Sequence, residues 1–269
     1  MRFRKTARMP ENQRNRAIAT GEASRILKLY GLSSPTDLVL EDLALAMGVL
    51  VVEGPLDSAD ARLVRKGDRG IIRIKSDIPE VGRKRFAIAH ELGHWILHRT
   101  LSQILACTSE DMLSAYKTSA PELEASYFAS ALIMPEEFFS KRIEGTTPTA
   151  ELLGELAQEF RTSLTATALR YVDLRDDYCA LVVSENGKVK WWRESRDFKG
   201  QFWIDPGTKL SSHTIAAGFF RGEPKPSGPE PVDLVAWLPD AAGIDSETIM
   251  EEAIPMPRYG QVLSMLWLP

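Results

Sequence analysis

The sequence of 269 residues is poor in cysteine and histidine and carries no large excess of either charge. Its two cysteines, Cys107 and Cys179, lie far apart and outside any CxxC pattern, so they indicate neither a thiolate metal site nor a disulfide framework. No run approaches the ~18 apolar residues that a membrane-spanning helix needs, and no apolar stretch follows the basic N-terminus as it would in a secretory signal. The sequence therefore predicts a cytoplasmic protein that does not enter a membrane.

The formal net charge of -4 excludes a general attraction to nucleic acid, because a protein of that charge has no overall pull toward phosphate. Basic side chains concentrate only at the N-terminus, where residues 1–16 contain six arginines and lysines and a single acid, Glu11. Chain ends are usually loose and tolerate charge. We therefore interpret residues 1–16 as a basic, flexible arm.

The remaining chain is long enough for two domains, and its hydrophobic spacing changes along the sequence. Residues 17–135 combine several helical patterns with a short buried strand and a hairpin. Residues 136–173 contain two amphipathic helices joined by a short polar turn, which is typical of a helix-turn-helix-like pair. Residues 174–269 begin with a hairpin signal around the Asn186-Gly187 turn and continue with further strand candidates, which indicates a C-terminal α/β domain. The overall fold class that follows is α+β.

The chemistry lies in an HExxH motif, HELGH, whose outer residues are His90 and His94. The motif falls inside a helical pattern at residues 80–99. Positions i and i+4 of a helix differ by about 40° in azimuth and one turn in height, so both imidazoles can reach one cation. Glu91 lies about 100° round the helix from His90, where it can contact water at the metal. The motif predicts a zinc site with His90 and His94 as ligands and Glu91 as general base.

A catalytic zinc ion needs a third protein ligand, and two positions near the motif do not supply it. A metzincin would have its third histidine six residues after His94, where this sequence has Thr100. His98 has drifted about 80° round the helix from His90, so we interpret it as a supporting or packing residue. The third ligand is therefore expected from a later helix.

The helical pattern at residues 121–134, which Pro135 is expected to end, offers two glutamates, Glu122 and Glu124. Their azimuths differ by about 200°, so only one of them can face the metal. Either choice gives a gluzincin-type site of two imidazoles and one carboxylate. That ligand set suits Zn²⁺ and is also compatible with Mn²⁺ or Fe²⁺.

Five segments of the sequence carry a family resemblance: RFAIA and HELGH at residues 85–94, ELEA at 122–125, FA at 128–129 and LIMP at 132–135. Together they resemble the ImmA/IrrE family of metallo-endopeptidases over residues 17–172, which implies a zincin-like metallopeptidase domain at residues 17–135. In the family pattern ExEANxFA the first glutamate is the metal ligand, and this resemblance implies Glu122. The family's asparagine is replaced by Ser126, so a hydroxyl stands where an amide would orient a histidine.

The resemblance implies limited proteolysis of a specific protein, a helix-turn-helix transcriptional repressor, and thereby regulation of gene expression. Two alternatives remain open: a non-catalytic zinc-containing regulator that binds a repressor or DNA, and a peptidase of broad specificity. Direct DNA binding is not expected, because basic residues do not concentrate on the second helix of the pair beyond Arg170. The oligomeric state is left open.

The C-terminal domain, residues 174–269, holds a group of aromatic residues. The family resemblance allows a sensor-like role for this domain, in which these rings would line a ligand pocket. A small core needs such large side chains as well, and we interpret them as core. The residues are Trp191, Trp192, Phe202 and Trp203.

Overall fold

A computed structural model describes residues 11–32, 34, 37–57, 59–98, 105–107, 119–224, 226–239 and 244–269. The chain forms two compact units. The first comprises Met1–Phe139 with Glu159–Ser163, and the second comprises Ser140–Gln158 with Leu164–Pro269. Helices and two separate sheets make up the described residues, so the predicted α+β class is confirmed.

The first unit packs helices against a four-stranded sheet of order β1-β3-β2-β4. β1 runs parallel to β3, whereas β2 is antiparallel to both β3 and β4. The elements are α1 (Glu11–Leu29), α2 (Leu40–Ala46), β1 (Val49–Gly54), β2 (Ala61–Lys66), β3 (Arg69–Lys75), α3 (Val81–Leu97), β4 (Leu105–Cys107) and α4 (Ala120–Ile133), followed by α5 (Glu136–Ile143).

Strand β3 shows how the sheet receives the HExxH helix. Ile72 and Ile74 are fully buried while Ile71 and Arg73 face solvent, as alternation along a strand requires. A side chain at Gly70 would place its Cβ 2.9 Å from the ring of Trp95 on α3. The Arg65 guanidinium also contacts that ring, 3.8 Å from its centroid. Helix α3 is thus held close to the sheet by a large ring that fits only over a glycine.

The second unit contains a five-stranded antiparallel sheet of order β6-β5-β9-β8-β7. The hairpin predicted at Asn186-Gly187 joins β5 to β6, and Asn186 has the positive φ of 51° that such a turn needs. The elements are α6 (Ala150–Glu159), α7 (Leu164–Leu174), β5 (Cys179–Glu185), β6 (Lys188–Glu194), α8 (Ile215–Phe220), β7 (Glu230–Asp233), α9 (Leu234–Trp237), β8 (Thr248–Met256) and β9 (Gln261–Trp267).

Two consecutive glutamates of β8 accept hydrogen bonds from helix N-termini. Glu251 accepts from the backbone N–H groups of Ile215 and Ala216 on α8. Glu252 accepts from the N–H of Ala150 on α6. Because neighbouring strand residues point to opposite faces, helices cover both sides of this sheet, and each carboxylate satisfies N–H groups that a helix start leaves open.

The helix pair α6–α7 packs within the second unit, because α7 contacts β5 and β6. The structure therefore differs from the predicted division into a segment at 136–173 and a domain at 174–269: most of that segment belongs with the C-terminal sheet. Helical spacing shows that a helix has an apolar face but does not show which sheet will cover it.

The N-terminus also differs from the predicted arm at residues 1–16. Residues 1–10 lie outside the described residues, whereas Glu11 begins α1, so residues 11–16 are helical. The Arg16 guanidinium lies 5.4 Å from the ring centroid of Tyr127 on α4, so its charge is used in packing. Among the described residues, no helix has the length and apolar character to cross a membrane.

Two of the four aromatic residues singled out in the second unit belong to its core, whereas Trp191 is half-buried and Trp203 is exposed. Trp192 and Phe202 are buried and meet edge to face with centroids 5.3 Å apart. The Trp192 indole N–H donates to the carbonyl of Ile204, which satisfies its one donor. Trp203 is 62% exposed and rests against Trp192 from the surface side. Packing therefore accounts for the buried rings.

Candidate metal centre

Helices α3 and α4 approach closely at Gly93, the fourth residue of the HExxH motif. A Cβ added at Gly93 would lie 3.0 Å from the Cα of Ala125 and 3.1 Å from its carbonyl oxygen. These are backbone atoms, so they cannot move aside as a flexible side chain could. The glycine lets the two helices approach each other, and this contact brings the start of α4 to the two histidines of α3.

Three side chains converge where these helices meet. The Nε2 atoms of His90 and His94 are 3.1 Å apart, and Glu122 places Oε2 3.0 Å from His90 Nε2 and Oε1 3.3 Å from His94 Nε2. Ligands about 2.0–2.1 Å from a tetrahedral zinc ion lie about 3.4 Å from one another. The observed separations are close to this value, so the three residues fit a zinc ion.

The electrostatics of the cluster suit the metal-binding form of each residue. Burial lowers the pKa of His90, although the hydrogen bond to Glu122 opposes the shift, so its imidazole is neutral near pH 7. Burial pushes the pKa of Glu122 upward, but its hydrogen bonds to His90 and His94 outweigh this effect and lower it overall. A neutral imidazole and an ionised carboxylate are the forms that bind a metal.

Glu124 lies away from the convergence point and accepts from His98 instead. Its Oε2 is 2.9 Å from His98 Nε2, and His98 Nδ1 is 3.0 Å from His94 Nδ1. The structure thus places Glu122 beside the two motif histidines and Glu124 behind them. Ser126, which takes the position of the family's asparagine, lies 3.3 Å from His90 Nδ1 through its hydroxyl.

Glu91 is completely buried on α3, between the two motif histidines in sequence. Withdrawing a carboxylate from water is costly, so such a group inside a domain is a candidate for a functional role. The role of Glu91 as general base, inferred from the sequence, stays a prediction.

Residues 44–171 match a peptidase family model described as the IrrE N-terminal-like domain. This span contains the HExxH motif, Glu122 and both helices that bring them together. This part of the chain belongs to the ImmA/IrrE family. The family is typically metal-dependent, in accord with the ligand set that α3 and α4 bring together.

The whole chain is also similar in fold to a solved structure described as a Mycobacterium tuberculosis transcriptional regulator. The two share 16% sequence identity with a TM-score of 0.59, over 95% of this chain and 78% of the other. At that identity the likeness concerns the fold alone. No curated protein sequence matches the chain significantly.

Replacing Gly93 with alanine is expected to destabilise this ImmA/IrrE domain by about 1–3 kcal/mol, the usual cost of overpacking. The added methyl group would force α4 away from α3, and we expect zinc affinity to fall with it because Glu122 moves with α4. Thermal unfolding with and without zinc measures both effects. Gly154, a helical glycine of α6 at which an added Cβ would meet no atom within 4 Å, is the matched control. Its alanine variant should be as stable as the parent or more stable, and equal behaviour of the two variants would contradict the argument.

Proposed function

We propose that the chain is a zinc-dependent endopeptidase that cleaves one specific protein, a helix-turn-helix transcriptional repressor, and so regulates gene expression. The observation that carries the proposal is the convergence of two imidazoles and one carboxylate at His90, His94 and Glu122, at separations that suit zinc. Membership of a peptidase family supports the same reaction class. The repressor as substrate comes from the family resemblance.

Each residue has a separate role in the proposed hydrolysis. A bound zinc ion would supply Lewis acidity for the attack of water on a peptide carbonyl. His90, His94 and Glu122 would hold the ion. Glu91 removes the proton from the attacking water and passes it to the leaving amine. Metal analysis of the purified protein would distinguish zinc from Mn²⁺ or Fe²⁺, which the same ligands accept.

A non-catalytic regulator is the alternative, and the description of the similar fold as a transcriptional regulator favours it. In that case the chain would bind a repressor or DNA without cleaving either. The second helix of the pair, α7, argues against DNA, because its one basic residue, Arg170, is only 3% exposed. A buried guanidinium cannot contact phosphates. The buried Glu91 argues for catalysis, since a purely structural zinc site has no use for a base.

The experiment that tests the proposal combines the purified chain with any helix-turn-helix repressor that a neighbouring gene encodes. We expect two repressor fragments on a gel, loss of cleavage after treatment with a zinc chelator, and recovery after adding Zn²⁺. Chelator-sensitive cleavage of unfolded casein at a similar rate would favour a peptidase of broad specificity. Repressor binding without cleavage, unaffected by the chelator, would support the non-catalytic alternative. A cytoplasmic repressor as substrate also places the proposed activity in the cytoplasm.

A further inference from the structure

A hydrogen-bonded chain leads away from the candidate metal centre on the side of His94. It passes from His94 Nδ1 to His98 Nδ1, 3.0 Å away, and from His98 Nε2 to Glu124 Oε2, 2.9 Å away. The side chain of His98 is 8% exposed and that of Glu124 is 25% exposed. Water therefore has little access to the imidazole in the middle of the chain.

The direction of each hydrogen bond follows from one condition, that His94 presents the lone pair of Nε2 to a cation. A neutral imidazole carries one N–H, so His94 has its proton on Nδ1 and donates it to His98 Nδ1. Because His98 accepts at Nδ1, its own proton is on Nε2, and this N–H donates to the Glu124 carboxylate. Every donor in the chain then meets an acceptor without a conflict.

We propose that His98 and Glu124 are positioning residues that fix the tautomer and ring orientation of His94, and thereby strengthen metal binding. The inference rests on the proposed metal centre. It extends a known arrangement, in which a carboxylate orients a zinc-bound histidine, by one additional imidazole. It also gives Glu124 a role away from the metal, on the other side of the same helix from Glu122.

The two motif histidines are supported unequally. His94 is held through an imidazole that is itself bonded to a carboxylate, whereas His90 Nδ1 has the Ser126 hydroxyl at 3.3 Å, near the upper limit of a hydrogen bond. Loss of the chain behind His94 should therefore weaken metal binding more than loss of the Ser126 hydroxyl. This order of the two losses of metal affinity follows only if the hydrogen bonds through His98 to Glu124 support His94.

The test measures zinc affinity by chelator competition and histidine tautomers by long-range ¹H–¹⁵N NMR of the full-length, zinc-loaded protein. The protein has four histidines, and only His213 lies outside the cluster of His90, His94 and His98, so the signals can be assigned by substitution. We expect the Nδ1–H form for His94 and the Nε2–H form for His98. Glu124→Ala should weaken zinc binding by about 10–100-fold, the loss typical of such supporting groups. Glu124→Gln should lose less, because its amide oxygen can accept the same bond.

Further variants distinguish loss of the His94–His98–Glu124 hydrogen bonds from a general loss of stability and from failure of the proposed function. Glu136→Ala removes an exposed glutamate just beyond α4 and should leave zinc affinity unchanged. Ser126→Ala should lose less affinity than Glu124→Ala. If Glu124→Ala does not fold, the tautomers of the wild type and the affinity of Glu124→Gln decide the question.

An Nδ1–H tautomer at His98, or unchanged zinc affinity in a folded Glu124→Ala variant, would overturn the proposal even if the repressor is cleaved. Expected tautomers without cleavage would instead contradict the proposed function.

Discussion

Replacing Glu91 with glutamine is expected to slow repressor cleavage by about 10²–10⁴-fold, the contribution usual for a general base. Glutamine has nearly the same shape as glutamate but cannot take a proton from water at neutral pH. Glu91 is not one of the three residues whose ligand atoms converge, so the zinc affinity of the variant should equal that of the wild type. Initial cleavage rates at matched zinc occupancy, together with chelator competition, measure the two quantities separately.

The stability of the Glu91→Gln variant provides an independent check. Glu91 is completely buried, and a neutral amide is less costly to bury than a carboxylate. We therefore expect an unfolding temperature equal to or above that of the wild type, so that lost activity cannot be attributed to unfolding. Glu136→Gln, an exposed change of the same kind, should alter neither rate nor stability. Cleavage by Glu91→Gln at the wild-type rate would exclude Glu91 as the base.

The local part of the candidate site could be predicted from the sequence because it depends on one helix. The helical pattern at residues 80–99 corresponds to α3 at Val81–Leu97, and the pattern at 121–134 corresponds to α4 at Ala120–Ile133. Within α3 the four-residue spacing alone brings His90 and His94 onto one face. These features need only helical periodicity, which a sequence displays directly.

The choice between Glu122 and Glu124 could not be predicted from the residues alone, because it depends on how α4 is rotated against α3. Spacing shows that the two carboxylates face opposite ways but not which of them faces the histidines. The rotation depends on the contact between Gly93 and Ala125, which joins residues far apart in sequence. Only the family resemblance indicates Glu122 beforehand.

Two further helices, α5 and α8, could not be predicted from the sequence. From the sequence, Pro135 is interpreted as the end of a helix, yet α5 begins at the next residue. A proline just before a helix start is as well tolerated as one after a helix end, so the proline alone does not distinguish the two. Helix α8 has only six residues, and Thr214 caps it locally, but its first two N–H groups donate to the Glu251 carboxylate, 35 residues along the chain from Ala216. The sequence around a short helix does not reveal a cap provided by a distant strand.

Replacing Glu122 with glutamine is expected to weaken zinc binding by more than the about 10–100-fold loss anticipated for supporting residues, because it removes one of three charged or strongly donating ligands. Zinc stabilises the folded chain in proportion to the logarithm of its affinity. The zinc-dependent rise in unfolding temperature should therefore be smaller for Glu122→Gln than for the variants of supporting residues. Chelator competition and thermal unfolding with and without zinc provide two independent measurements.

The matched control for Glu122→Gln is Glu124→Gln, the same substitution two residues along the same helix. If Glu124→Gln abolished zinc binding while Glu122→Gln retained it, Glu124 would be the ligand. That outcome would require α4 to turn by about 200° about its axis. The turn would remove the fully buried Phe128 from the core and break the close contact between Gly93 and Ala125. The packing that brings α4 against α3 is therefore the physical reason to expect Glu122 as the third ligand.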